Sequence, residues 1–112
     1  MQAGLLGEAI DEAPVLVFVA DENRRYVAVN RCACTLLGYT REELLALTVE
    51  RVARYGEAPG EFSAMVAQGV HEGVSVLTRK DGTEFPFRYR ASIVTVARME
   101  LYVSVGWPEA DY

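Results

Sequence analysis

The sequence predicts an α+β fold, an antiparallel sheet with short helices packed on one face and an amphipathic helix in front. Three observations carry this. The hydrophobic period is helical over residues 2–13, two-residue over 15–29, helical again from 31 to about 70, and two-residue from 73 onward. The strand-like runs are joined by short turn sequences, "DENR" and "KDG", which make sequential strands antiparallel neighbours. Capping residues, Asn30 and Thr40, stand where the period changes.

In "QAGLLGEAIDEA", Leu5, Leu6, Ala9, Ile10 and Ala13 recur at helical spacing, and Pro14 ends the run. Val15 to Ala20 is apolar and β-branched, "DENR" supplies a turn, and Tyr26 to Val29 resumes a strand. Asn30 is a good N-cap for "RCACTLL", with Gly38 as its stop. "TREE" is a capping box: the Thr40 hydroxyl accepts from the Glu43 amide while the Glu43 carboxylate reaches back. It opens a helix expected to turn Leu44, Leu45 and Leu47 inward, and "VERVARY" adds a further turn. After the loop "YGEAPG", Phe62, Met65, Val66 and Val70 lie on one face of a helix ending near Gly69. "GVSVLTR", "FPFRYRASIVTV" and "LYVSVGW" are strands. The second sets Phe85, Phe87, Tyr89 and Ala91 against Arg88 and Arg90, and the third sets Leu101, Val103, Val105 and Trp107 against Tyr102 and Ser104. Asp81-Gly82, between two strand patterns, is a hairpin signal. A phosphate loop would lead into a helix, and here a strand follows.

A chain of 112 residues suits one domain, burying roughly 65% of its unfolded surface. The expected division is an N-terminal helix over 1–14, a core over 15–108 and a tail over 109–112. Eleven basic and 16 acidic residues give a net charge of −5, which argues against direct nucleic-acid binding. The longest apolar run, "APVLVFVA", is too short to span a membrane, and no signal-peptide pattern opens the chain. Cys32 and Cys34 are too close for an unstrained disulfide and read as reduced thiols, so a cytoplasmic location is expected.

Three stretches in order resemble the PAS domain family. "VFVADENRRYVAVN" is similar to its opening strand pair, "NRCACTLLGYTREELL" to its Asn-led helix, Leu-Gly-Tyr step and Glu-Glu-Leu helix, and "LTRKDGTEFPFRYRAS" to its Lys-Asp-Gly hairpin. The resemblance covers about residues 8–107. It implies a five-stranded antiparallel sheet in the order 2-1-5-4-3 whose short helices enclose a small cavity. It also implies a sensory or signalling role through a bound small ligand, through dimerisation, or both, without catalysis. The sequence departs from many members at its end, "SVGWPEADY", where Pro108 stops the last strand ahead of any Asp-Ile-Thr step.

Cavity walls are expected from Phe18, Leu36, Leu37, Tyr39, Leu44, Leu47, Val52, Tyr55, Phe62, Met65, Val66, Phe87, Tyr89 and Val103. These side chains either pack together as core or leave room for a small apolar or acidic ligand. Leu5, Leu6 and Ile10 of the first helix, with Tyr102 and Trp107 of the sheet, are the expected interface of a homodimer. The lone histidine, His71, is read as a residue near the end of the long helix, a poor place for a haem ligand. Val49 stands where flavin-adduct members carry their reactive cysteine, so that photochemistry is not expected. Two cysteines and one histidine match no zinc pattern, and the scattered serines have no base beside them for nucleophilic catalysis. The ligand, the effector and any cofactor stay unnamed by the sequence.

Overall fold

The computed structural model describes residues 2–54 and 70–109, and the side chains of 7–53 and 72–109. The expected helix over 61–69 and its residues Phe62, Met65 and Val66 lie outside the described residues, as does Tyr55. The elements are α1 (Gln2–Glu12), β1 (Leu16–Ala20), β2 (Tyr26–Val29), α2 (Arg31–Leu37), α3 (Arg41–Leu45), α4 (Val49–Val52), β3 (Ala53–Arg54), β4 (Val70–Thr78), β5 (Glu84–Val96) and β6 (Met99–Pro108). The strands form one sheet in the order β2-β1-β6-β5-β4-β3, antiparallel at every pairing. The five long strands stand in the expected order. The two-residue β3 was not foreseen, and it pairs with the outer edge of β4.

Local signals placed the helix ends correctly. Asn30 caps α2 by accepting from the Ala33 amide, and Gly38 closes it in the left-handed region at φ 79°. Thr40 and Glu43 form the reciprocal capping box of α3. α3 is short, so Leu44 is fully buried while Leu45 is exposed, and only one of the three leucines expected inside is deep in the core.

The side chain of Asn30 joins three elements. Its Oδ1 accepts from Val17 N at 3.0 Å and Ala33 N at 3.2 Å. Its Nδ2 donates to Ile10 O at 2.9 Å and Val15 O at 2.8 Å. Two donors and two acceptors are the full capacity of a primary amide. The residue is buried, so these bonds replace water rather than compete with it. Around this point Asp11 accepts from the Arg31 amide and from the Arg41 guanidinium, whose Nε also donates to Val29 O. The C-terminal end of α1 is thereby fastened to the starts of α2 and α3.

The hairpin at 79–83 does the same for the other end of α2. Gly82 adopts φ 91°, and Asp81 Oδ1 accepts from the amide and hydroxyl of Thr83. Lys80 N donates to Leu37 O and Arg79 Nε to Leu36 O, so the turn satisfies carbonyls that a helix leaves open at its C-terminus. Lys80 Nζ reaches Glu43 Oε2 at 2.6 Å, and that bond, with the Thr40 amide, holds the Glu43 carboxyl below its usual range. "TRKDGTEF" is a clamp on the helices.

The two faces of the sheet are set by register. Phe87 opposes Ser75 and Pro108, Tyr89 opposes Gly73 and Gly106, and Ala91 opposes His71 and Ser104. Paired residues share a face, so Tyr102, Ser104 and Gly106 of β6 lie on the helix-covered side with Phe18, Phe87 and Tyr89. Gly106 enforces this parity. A Cβ there would lie 2.1 Å from Arg88 O and 2.7 Å from Cζ of Phe87.

Two outcomes follow for stability. Asn30→Ala should cost about 3 kcal/mol by chemical denaturation, because buried amides and carbonyls lose their partner. Asn30→Asp keeps the acceptor but turns a carboxylate oxygen toward two carbonyls, which raises its folded pKa. Its deficit against wild type should therefore be largest at pH 7 and shrink as pH falls through the carboxylate range, since a raised folded pKa removes stability as pH rises. Gly106→Ala should cost about 2 kcal/mol by forcing the Phe87 ring and the β5 backbone aside, read as a lowered denaturant midpoint at unchanged slope.

Candidate functional site

The covered face of the sheet is the candidate ligand site. Its floor is aromatic: the Phe18 ring lies 5.4 Å from Tyr26 and meets Phe87 edge-on at 5.9 Å, and Phe87 stacks on Tyr89 at 6.1 Å. Phe18, Leu37, Leu44, Val52, Phe87 and Tyr89 belong to one buried cluster. Tyr39, Leu36 and Leu47 are half-buried and pack against it.

Val103 does not join them. It pairs with Val19 and Ser92 on the opposite face, so its expected place in the wall is corrected. The alternation of β6 is legible in the sequence but its inward side is not, and the expectations place Val103 in the wall and Trp107, of the same set, at the interface. Gly106 must lie under the Phe87 ring and carries Ser104 and Tyr102 inward with it. The same correction separates Tyr102 from Trp107. Tyr102 lies on the covered side, half-buried with its hydroxyl toward Glu100, and burial raises its pKa. Trp107 is on the outer face and 48% exposed. The two cannot form one interface patch. Ile10 is exposed at the fastened end of α1, and the side chains of Leu5 and Leu6 lie outside the described residues.

His71 is also relocated. It stands in β4, paired with Ala91, and not at a helix end. The sequence reading extends a helical period as far as His71, whereas β4 begins at Val70.

Two residues that sequence reasoning passed over emerge on the covered face. Ser75 is 2% exposed, and the hydroxyls of Ser75 and Ser104 are both buried without a hydrogen-bond partner among the described residues. A buried hydroxyl left unpaired costs about 1–3 kcal/mol, so native interiors hold few. The signal available in the sequence was the pair Ser104 and Gly106 at alternate positions of an otherwise apolar strand.

The charges are elsewhere. Arg88 and Arg90 point to the outer face, as alternation predicts, where they pair with Glu109 and Glu72. Cys32 and Cys34 are free and half-buried, and desolvation raises both thiols above their ordinary pKa, the reverse of a reactive thiolate. Among the described residues no group of three His, Cys, Asp or Glu side chains could hold a metal ion. Among them, too, no helix is long and apolar enough to cross a membrane.

A family model described as PAS domain matches residues 14–106. Among solved structures, a PAS domain from a two-component sensor histidine kinase superposes with a TM-score of 0.87 at 14% identity, over 96% of each chain. The PAS domain of a protein from Colwellia psychrerythraea gives 0.87 at 18% identity, over 100% of each. The PAS domain of nitrogen regulation protein NR(II) from Vibrio parahaemolyticus gives 0.80 at 12% identity, over 94% of this chain and 98% of that one. No curated protein matches the sequence. With its sheet order, its capped short helices and a family match across most of its length, the chain belongs to the PAS domain family.

Proposed function

We propose that this chain is a non-catalytic sensory or signalling module that works as a homodimer through the outer face of its sheet. One observation carries this reading. Every outward position of β6, Met99, Leu101, Val103, Val105 and Trp107, is apolar. Val17 and Val19 of β1 flank the row on one side, and Val94 and Val96 of β5 extend it toward the hairpin tip. Met99 and Val96 are each 52% exposed. A contiguous apolar patch of this kind is uncommon on a monomer in water. A two-fold partner would present the same strip, and the ion pairs Arg88–Glu109 and Arg90–Glu72 would stand as a polar rim around a charge-poor centre. Dimer geometry would then be the output, and a signal would act by favouring one packing over another.

A second reading, compatible with the first, is that the covered face receives a small ligand. The unpaired hydroxyls of Ser75 and Ser104 favour it. A haem reading through His71 gains nothing from its place in β4. Proteins named in the comparisons as parts of a sensor kinase and a nitrogen regulator support a signalling context.

Sedimentation equilibrium over a range of concentrations tests the dimer. Wild type should self-associate. Val105→Glu and Trp107→Lys should each weaken association at least tenfold, about 1.4 kcal/mol, with unchanged far-ultraviolet circular dichroism. Folded variants that associate as wild type does would reject the outer face. A wild type monomeric at all concentrations would reject the homodimer.

A further inference from the structure

We infer that the two protomers cross with their β6 strands antiparallel about Val103, so that the β5–β6 tip of each lies over the Trp107 end of the other. This rests on the homodimer reading above and names the pairing within that interface. Along the outer face of β6, Met99 and Trp107 stand four positions to either side of Val103. A two-fold axis in the plane between two facing sheets has two settings. Set along β6, it runs the strands parallel and puts each residue over its own copy, Trp107 on the partner's Trp107 and tip on tip. Set across β6 at Val103, it runs them antiparallel and puts Met99 over the partner's Trp107.

Two features decide between the settings. The first is support. The ladder of β4 with β5 ends at Val70 and Ser92, and that of β1 with β6 ends at Ala20 and Tyr102. Beyond those pairs the hairpin continues as two strands among the described residues, with Val94, Val96 and Met99 exposed on its outer side. A two-stranded ribbon buries too little surface to be stable alone. Parallel β6 strands lay two such ribbons on each other. Antiparallel strands lay each ribbon on the broad part of the partner's sheet, which the buried core backs. The second feature is charge. The tip carries Arg98, exposed and in no ion pair among the described residues, while Glu100 stands on the other side of the hairpin. Beyond the Arg90–Glu72 pair, the outward charges at the far end of the sheet are Arg88, Glu84 and Glu109, two acids to one base. Parallel strands would bring Arg98 to the partner's Arg98 and acid to acid, whereas antiparallel strands bring Arg98 to the partner's acidic end. Opposed charges across an interface fix its register. Met99 then meets the partner's Trp107, a thioether on an indole. Arg88 and Arg90 keep their heads on Glu109 and Glu72 and turn their methylene stems to the partner.

Cysteines at three outward positions and a bismaleimide spanning ~10 Å, the separation of packed sheets, read the crossing directly. The full chain carries Val103→Cys, Met99→Cys or Trp107→Cys, each at a concentration where sedimentation shows it dimeric. Wild type, which holds Cys32 and Cys34, sets the background. Val103→Cys should link to itself. Met99→Cys and Trp107→Cys should link to each other when mixed and not to themselves when alone, with the joined peptides identified by mass spectrometry. Arg98→Glu should weaken association about fivefold at low ionic strength, Arg98→Gln by less, and both effects should vanish at about 1 M salt. Self-linking of Met99→Cys and of Trp107→Cys would overturn the crossing in favour of parallel strands and leave the homodimer standing. A dimer in which Val103→Cys does not link, or whose association ignores Arg98→Glu, would overturn it as well. A wild type that stays monomeric would remove the homodimer, and this inference with it.

Discussion

The fold is organised around the buried amide of Asn30. Its four hydrogen bonds run to α1, to both ends of the segment entering β1, and to the first turn of α2. None of these elements can shift without breaking a bond that no water replaces, because the side chain is enclosed. The ion pairs of Asp11 with Arg31 and Arg41 lie outside it, more exposed and individually weak, and they tighten a junction that the amide defines. Movement of α1 is therefore coupled to the edge of the helical layer through one side chain, whatever lies beyond the N-terminus of α1.

α2 has seven residues, too few to be stable alone. It persists because both ends are tied to the rest of the fold, the first through its N-cap Asn30, whose amide also bonds α1 and β1, and the last to the amide of Lys80 and the guanidinium of Arg79. The Lys-Asp-Gly turn thus has two tasks. It reverses the chain between β4 and β5, and it ties the end of α2 and, through Glu43, the start of α3 to the hairpin. The covered face inherits its shape from these two clamps. A ligand that alters the spacing between helices and sheet would strain the same bonds, which gives the fold a route from its interior to its N-terminal helix.

The sheet separates its chemistry by face. Aromatic rings and two unpaired serine hydroxyls occupy the covered side of the described residues, and an apolar row with a rim of paired charges occupies the outer side. β6 is the hinge of this division, since Gly106 admits the Phe87 ring on one side while Trp107, next in sequence, stands exposed on the other. The β5–β6 hairpin continues past its neighbours to a two-residue turn at Ala97–Arg98, with both residues at positive φ. Non-glycine residues are uncommon in such a turn, and the long ladder on either side compensates for the strain.

The sequence by itself determined the elements, their order and their ends. The bond of Asn30 to the Ala33 amide, Gly38, Thr40 with Glu43, and Asp81-Gly82 are local signals that close within a few residues, so no tertiary knowledge was needed to read them, whereas the bonds of Asn30 to Ile10, Val15 and Val17 are tertiary. The exposed face of α3 was not legible, because three leucines in four positions do not say where a short helix stops being buried. Nor was the start of β4, where a helical period ran on into a strand. Which side of β6 faces the helices was not legible for a different reason. With apolar residues on one side and small or hydroxylated ones on the other, composition favoured the wrong face. Only packing decided it, through the contact of Gly106 with Phe87. The two unpaired hydroxyls and the apolar row of the outer face both follow from that contact. Propensity and capping act over a few bonds along the chain, whereas the face of a strand is chosen by residues that meet it from far away in sequence.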